Sequence, residues 1–193
     1  MSQGGKKKTA SGTPASNRGL SGPAPSSRPG AVRSGPSAWP DRVQLALDNH
    51  RLRIQQSSPA AVIGVWQKAV ESAHDAVLPG MSIDGSLRSA YDAGFLAALA
   101  LLAAHGLRPG SGPGHHEMAF YGAAALGYPG LEDLVPDSEE IRTLRRGSMY
   151  DPVIAGSGEQ RKALQWMQRT LPAIRAALVT KDPSLNSRLA PFP

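Results

Sequence analysis

The arginine at position 145 is the residue whose placement most directly suggests chemistry. Ile141, Leu144 and Ser148 share one face of a predicted helix, and Arg145 lies only about 40° from that face by helical geometry. Its guanidinium is therefore expected to point toward the interior of a helical bundle or toward a partner. A charge in that position needs an ion-pair partner or a function, because burying an unpaired charge is costly.

Three further residues continue this pattern on the neighbouring face. Arg142, Arg146 and Tyr150 follow one another at steps of four, so they line one side of the same helix. Two guanidiniums and a hydroxyl in a row are suited to binding the phosphate backbone of a nucleic acid. A solvated basic face, in which an arginine packs on the tyrosine ring, is an equally good interpretation.

Two adjacent histidines follow a glycine-rich loop. His115 and His116 come directly after residues 110–114, and amides at a helix N-terminus together with flexible glycines can hold a phosphate. The segment lacks the lysine of a phosphate loop and a preceding strand, so a simple connection between two helices is the alternative. An imidazole at this position can also move a proton or contact a phosphate.

The same histidines do not predict a metal site. Adjacent helical positions point about 100° apart, so His115 and His116 do not face one ion, and the sequence has no second pair of ligands at metal-binding spacing. The chain has no cysteine, which excludes a disulfide scaffold, a thiol nucleophile, an iron–sulfur cluster and a thiolate zinc site. We predict neither a metal nor a cofactor.

Helices are the elements that must position these residues. Apolar residues recur at spacings of three and four from position 41 onward, and the sequence has no strand or hairpin signal. It therefore predicts an all-α domain over residues 41–180, an antiparallel helical bundle of five to six helices, followed by a C-terminal tail over residues 181–193. The predicted helices cover residues 40–56, 59–78, 82–105, 115–127, 137–150 and 159–179.

Several residues mark the ends or bends of these helices. Ser82 is a predicted N-cap, Asp137 and Glu140 have capping-box spacing, and Pro172 is expected to kink the last helix. The longest uncharged apolar run has 12 residues, at positions 93–104, whereas a membrane span needs about 20. No apolar segment follows the lysines at positions 6–8, so we expect a cytoplasmic protein without a secretory signal or a membrane partner.

The net charge of +6 is located in the first forty residues. Residues 1–40 contain six basic residues and no acidic one, whereas residues 41–193 hold 15 basic and 15 acidic side chains. Glycine, proline and serine fill 21 of the first 40 positions, so this segment cannot bury enough apolar surface to fold. We predict a disordered basic tail that either attracts nucleic acid without sequence specificity or serves as a soluble tether.

Several segments, taken in order, resemble a known family. They are residues 89–94 (SAYDAG), 101–109 (LLAAHGLRP), 114–117 (GHHE) and 144–152 (LRRGSMYDP). Together they resemble bacterial HEPN-domain proteins, in particular the branch with an AYDAA-type central helix, a G-HH loop and an R-R-x-x-x-Y-D ending. The resemblance covers about residues 59–180.

The resemblance implies an antiparallel helical bundle that commonly forms a homodimer, with the arginine motif near the interface. Many members of the family are metal-independent RNases of toxin–antitoxin, abortive-infection or other antiphage systems. Others bind nucleotides or RNA without cleavage, or accompany nucleotidyltransferases. The resemblance also implies that Arg145 matches the arginine of the family motif Arg-x4-6-His, whereas Tyr150 stands five positions later in place of the histidine.

Tyr150 changes what this motif can do. Residues five apart on a straight helix diverge by about 140°, so Arg145 and Tyr150 act together only through a kink at Gly147 or across a dimer. Metal-independent RNA cleavage needs a base for the 2′-hydroxyl and a cation for the strained phosphate. A phenol with a pKa near 10 is ionised in only about one molecule in a thousand at pH 7. Either its pKa must be strongly lowered, or His115 or His116 must be the base.

Two functions are consistent with these observations, and whether the chain is an enzyme stays open between them. The first is an RNA- or nucleotide-phosphate-binding protein that uses Arg142, Arg145 and Arg146, with any cleavage by 2′-hydroxyl attack on the adjacent phosphate. The second is a non-catalytic helical interaction module, in which Arg145 pairs with a carboxylate of a protein partner. An antitoxin or a nucleotidyltransferase is the kind of partner that the family resemblance implies. The neutral charge of residues 41–193 favours the second function.

Overall fold

The structure is a computed structural model that describes residues 39–150 and 156–193, with the side chains of residues 148–150 outside the description. The predicted basic tail, residues 1–40, lies outside the described residues except for Trp39 and Pro40. Six α-helices and one two-stranded ladder occur within the described ranges. The predicted helical bundle of five to six helices is therefore confirmed.

One helix occupies the centre of the bundle. The helices are α1 (Asp41–Asp48), α2 (Pro59–Ala76), α3 (Ile83–Ala104), α4 (His115–Ala125), α5 (Leu134–Tyr150) and α6 (Ser157–Lys181). Helix α3 contacts α2, α4, α5 and α6. Its apolar run over residues 93–104 therefore lies where neighbouring helices cover it from several sides.

Small residues allow these helices to approach α3 closely. Its buried positions include Ala90, Ala93, Gly94, Ala97 and Ala98. A Cβ atom at Gly94 would overlap the ring of Trp166 on α6, so only glycine fits there without a shift. The Trp166 indole N–H donates a hydrogen bond to the carbonyl of Leu134 at 3.3 Å, so α3, α5 and α6 meet around this ring.

Serine side chains fix the starts of α2 and α3. The hydroxyl oxygens of Ser58 and Ser82 each accept a hydrogen bond from the amide three residues later, at 3.2 Å and 3.1 Å. Such bonds satisfy amides that the first helical turn leaves without a partner. The predicted N-cap at Ser82 is confirmed. The Ser86 hydroxyl donates to the Ala76 carbonyl at 2.7 Å, which joins the start of α3 to the end of α2.

Two short strands correct the prediction that strands are absent. Strand β1 (Leu52–Ile54) pairs antiparallel with β2 (Leu107–Pro109). Each strand has three residues, which is too few to show the alternation by which strands are recognised in a sequence. Leu52 and Leu107 are both buried, so the ladder is stabilised by packing as well as by its backbone hydrogen bonds.

The first helix is shorter than predicted. Helix α1 ends at Asp48, whereas the apolar spacing predicts a helix as far as residue 56. His50 has a φ of 56°, a left-handed conformation that turns the chain out of the helix. Ile54, an apolar residue inside the predicted helix, is 64% exposed. The prediction was wrong because the turn occurs at a histidine, without a glycine or proline that would signal it in the sequence.

Helix α5 begins three residues earlier than predicted. It starts at Leu134, so Asp137 and Glu140 lie inside the helix and the predicted capping box is wrong. Asp137 accepts a hydrogen bond from Arg169 at 2.7 Å, and Glu140 pairs with Lys162. The other borders of α2, α3, α4 and α6 agree with prediction to within two residues.

Residues 181–193, which the sequence predicts to be a C-terminal tail, pack against the bundle. A short 3-10 turn (Pro183–Leu185) follows α6, and Leu185 and Leu189 are buried. The Trp66 indole N–H on α2 donates to the Ala190 carbonyl at 2.9 Å. The end of the chain therefore covers one side of the pair formed by α2 and α6.

Among the described residues, α3 is long and apolar enough to span a membrane by length and composition. However, 56% of the tested segment is buried inside the protein. The core helix of a soluble bundle meets the same test, so α3 does not establish a membrane.

Candidate functional site

Charged and aromatic side chains from α3, α4 and α5 meet around Arg142 and Arg145. Gly114, with a φ of 83°, starts α4, so the two histidines and Glu117 occupy its first turn. We call this group the arginine cluster; its members are Tyr91, Asp92 and Phe95 on α3, His115, His116 and Glu117 on α4, and Glu139, Arg142 and Arg145 on α5.

Arg145 is held between an aromatic ring and a carboxylate. Its Cζ atom is 5.1 Å from the centroid of the Tyr91 ring, within the range of a cation–π interaction. Its Nη2 atom is 3.2 Å from Oδ1 of Asp92. The Arg145 side chain is 25% exposed, so the guanidinium is fixed on the bundle surface and is still accessible to a ligand.

Two opposing effects act on the pKa of the Asp92 carboxyl group. Burial raises the pKa of its carboxyl group above the ordinary value, while Arg145 and Arg88 act in the opposite direction. The net direction is upward, so burial is stronger than the two cations.

Arg142 makes the tightest ion pair of the cluster. Its Nη2 and Nε atoms both donate to Oε2 of Glu139, at 2.6 Å and 3.1 Å, and the hydrogen bond to Glu139 raises the pKa of the guanidinium further. A second carboxylate, Glu117, lies 3.8 Å from Nη2. The same Glu117 lies 3.8 Å from Arg51, so it stands between two arginines without a close hydrogen bond to either one.

His116 is stacked on the aromatic core. Its ring centroid is 4.1 Å from that of Phe95, at an interplanar angle of 26°, and 4.4 Å from that of His115. Burial lowers the pKa of His116, and the neighbouring His115, Arg145 and Arg142 lower it further. His116 is therefore a neutral imidazole at pH 7, a state in which it can accept a proton.

The Tyr91 ring supports the cluster from the buried side. It is fully buried, with its ring nearly parallel to that of Trp166 at 6.2 Å and at an angle to that of Phe120 at 5.8 Å. Burial raises the pKa of its hydroxyl to about 12. Among the described residues, this hydroxyl has no hydrogen-bond partner. Tyr91 therefore supports Arg145 as an aromatic ring and is not a base at neutral pH.

Four of the six site residues predicted from the sequence lie in this cluster: Arg142, Arg145, His115 and His116. Arg146 is exposed to solvent. Helix α5 ends at Tyr150, whose side chain lies outside the described part of the chain, so a joint role of Arg145 and Tyr150 stays a prediction.

The partners of these residues could not be predicted from the sequence. Asp92 is the last charge before the apolar run of α3, and a charge at the edge of such a run signals a paired or functional group. Tyr91, Glu117 and Glu139 carry no local signal that separates them from ordinary core or surface residues. Each of these roles depends on contacts between helices that are distant in sequence.

Within the described ranges, no group of three or more histidine, aspartate or glutamate side chains is placed to hold a metal ion. The anionic side chains of the cluster are instead ion-paired with arginines. Comparison of the chain with protein-family models, with curated proteins and with solved structures finds no match.

Proposed function

We propose that this chain is a HEPN-like protein that binds RNA or a nucleotide phosphate at the arginine cluster. The observation that carries the proposal is the convergence of two separate segments, residues 115–117 and 142–145. The His116 ring centroid and the Arg145 Cζ atom lie 6.1 Å and 5.1 Å from the centroid of the Tyr91 ring, and Glu117 lies 3.8 Å from Arg142. The residue types of each segment are by themselves suited to binding a phosphate. Their proximity supports a single anion site made from both.

The geometry of Arg145 supports phosphate binding. Arginine presents a planar array of donors that matches a phosphate, and such charge-assisted bonds are stronger when the donor is already oriented. The Tyr91 ring and Asp92 orient the guanidinium before a ligand arrives. A phosphate competes with Asp92 for this cation, and Arg146 adds an exposed positive charge on the next position of α5.

The proposal extends to metal-independent RNA cleavage in a toxin–antitoxin or antiphage setting. In that reaction a base removes the proton of the 2′-hydroxyl, the oxygen attacks the adjacent phosphorus, and the 5′-oxygen leaves with a proton. A neutral His116 is suited to act as the base, and Arg145 is suited to stabilise the charge that develops on the phosphate. Tyr150, at the position of the family histidine, is the alternative proton carrier.

A specific observation also favours a second candidate, a non-catalytic interaction module. Arg142 and Arg145 both have a carboxylate partner within this chain, so the cluster is close to neutral. A protein partner, including a second copy of this chain, an antitoxin or a nucleotidyltransferase, could exchange these carboxylates for its own. Such an interface would lose little affinity as salt increases, whereas RNA binding would weaken steeply.

The test is binding of labelled single-stranded RNA to the full chain over a range of salt concentrations. We expect Arg145→Ala to weaken binding about tenfold or more, while Arg188→Ala, which removes an exposed arginine outside the cluster, leaves it unchanged. A chain that begins at residue 41 separates the contribution of the basic tail. Equal RNA binding by wild type and Arg145→Ala in the shortened chain contradicts the proposal.

Cleavage is measured in the same reactions with EDTA present. Products that disappear in both Arg145→Ala and His116→Gln identify the cluster as the active site, whereas products lost only in Tyr150→Phe assign the proton transfer to Tyr150. Intact RNA in every reaction, beside a working RNase, limits the proposal to binding.

A further inference from the structure

A large groove lies beside the arginine cluster. It has a volume of about 720 Å³ and runs between α1, α4 and the first turn of α5. Pockets that hold small molecules commonly have volumes of about 300–1,000 Å³. Its apolar lining consists mainly of Leu45, Ala46, Met118, Tyr121, Gly122 and Ala125.

Part of the groove lining is apolar and open to solvent. Ala46 and Ala125, which have small side chains, are among the lining residues. Leu45 and Tyr121 border it and are 62% and 42% exposed. A ring that entered the groove would cover both, and Tyr121 offers it an aromatic face.

Arg51 and Glu117 line the groove, and Arg142 lies within ion-pair distance of Glu117. Glu117 lies 3.8 Å from Arg51 and 3.8 Å from Arg142, and both distances exceed the usual length of a charge-assisted hydrogen bond. A phosphate carries more charge and more acceptor oxygens than a carboxylate. It can therefore displace Glu117 and bind both guanidiniums.

We propose that the groove binds the base of a nucleotide whose phosphate lies between Arg51 and Arg142. A groove with an apolar lining beside two arginines is complementary to a nucleotide, which carries an aromatic base and an anionic phosphate a few ångströms apart. The inference rests on the proposed phosphate-binding function. It extends that function with a subsite for the base and with Arg51 as a further phosphate-binding residue. The nucleotide is a free mononucleotide or one exposed unit of single-stranded RNA, since both present the same base and phosphate.

Calorimetric titration of the full chain with AMP, adenosine and inorganic phosphate tests the free-nucleotide source. We expect AMP to bind at least about tenfold more tightly than either of its halves, because its two groups bind as one ligand. The RNA source is tested with the single-stranded RNA used above. An effect of groove variants on RNA but not on AMP assigns the groove to RNA; an effect on AMP assigns it to the free nucleotide.

The decisive variant is Leu45→Glu, which places a charge at the groove. Its matched control is Ile54→Glu, because Ile54 is equally exposed at 64% and does not line the groove. We expect Leu45→Glu to weaken binding of AMP or RNA about tenfold or more, and Ile54→Glu to have no effect. Circular dichroism melts confirm that both variants fold.

Two further variants test the phosphate position. Arg51→Ala should weaken binding about tenfold or more, and Glu117→Gln should strengthen it severalfold because it removes the competing charge. If Arg145→Ala weakens RNA binding but Leu45→Glu and Arg51→Ala do not, the groove inference is overturned and the proposed function stands. If wild type binds neither RNA nor AMP, both are overturned.

Discussion

Arg145 lies over the ring of Tyr91, with its Cζ atom 5.1 Å from the ring centroid. The two residues belong to α5 and α3, so the contact links the arginine segment to the central helix of the bundle. Tyr91 is itself fixed by packing against the rings of Phe120 and Trp166. The position of the cation is therefore set by the aromatic core, which gives a ligand a preorganised donor.

The Tyr91 contact predicts that the ring matters and the hydroxyl does not. Tyr91→Phe keeps the ring and removes a buried hydroxyl that has no hydrogen-bond partner among the described residues. We expect the free energy of unfolding to stay constant or to rise by up to about 1 kcal/mol, and RNA binding to be unchanged. Tyr91→Ala should lower the free energy of unfolding by about 3–5 kcal/mol. Urea denaturation measures both; a loss above 1 kcal/mol in Tyr91→Phe would show that the hydroxyl is bonded.

Asp92 is predicted to compete with a phosphate for Arg145. Asp92→Asn keeps the shape of the side chain and removes its charge, so we expect RNA to bind severalfold more tightly. The dependence of log K on log salt should become steeper by about 0.7, the value for one more contact to a single strand. Asp75→Asn, which removes an exposed charge on α2, is the control. Weaker binding by Asp92→Asn would contradict this prediction and would mean that orientation of Arg145 by Asp92 outweighs its competition with the phosphate.

The helices could be predicted because their signal is local. Periodic apolar residues and the Ser82 cap placed α3 and most other borders to within two residues. The β1 and β2 ladder could not be predicted, because three residues per strand give no alternation and the pairing joins segments far apart in the chain. The end of α1 was missed because it depends on the left-handed backbone of His50, a residue type that does not require this conformation.

The candidate site could be predicted only in part, for a related reason. Arg142, Arg145 and the two histidines are reactive residue types at suggestive spacing, so each segment could be singled out alone. The pairing of Arg145 with Asp92 and Tyr91 arises from the packing of α5 on α3, which no local pattern encodes. The groove likewise exists only because α1 and α4 lie side by side.

His105 is predicted to make folding sensitive to mild acid. Its Nε2 atom is 3.0 Å from the Tyr128 hydroxyl, and its ring packs near that of Trp39. Burial, with a smaller effect of Lys181, lowers the pKa of His105 from 6.5 to about 4. The unfolded chain therefore binds the proton more readily, so stability is full above about pH 6.5 and is lost as the pH falls toward 4.

Denaturation at pH 7 and pH 5 measures this effect. Allowing for the partial exposure of the ring, we expect a loss of about 1–2 kcal/mol in the free energy of unfolding over that interval. His105→Gln should reduce the loss, while His74→Gln, which replaces an exposed histidine on α2, should leave it unchanged. A loss of the same size in wild type and His105→Gln would assign the acid sensitivity to other groups.

Two glycine-to-alanine changes with opposite expected signs test the packing of the central helix. A methyl group at Gly94 on α3 overlaps the Trp166 ring, and the fully buried indole has little room to move. We expect Gly94→Ala to lower the free energy of unfolding by about 1–3 kcal/mol. It should also weaken RNA binding, because Trp166 packs on Tyr91 beneath Arg145.

Gly64 on α2 is the matched control, because nothing lies within 4 Å of a Cβ atom added there. It occupies an exposed position inside the helix, so Gly64→Ala should raise the free energy of unfolding by about 0.5–1 kcal/mol through helix propensity and reduced freedom of the unfolded chain. If both variants are stabilised, the close approach of α6 to α3 at Gly94 is not present in solution. If only Gly94→Ala is destabilised and its RNA binding falls, core packing and the arginine cluster are coupled through Trp166 and Tyr91.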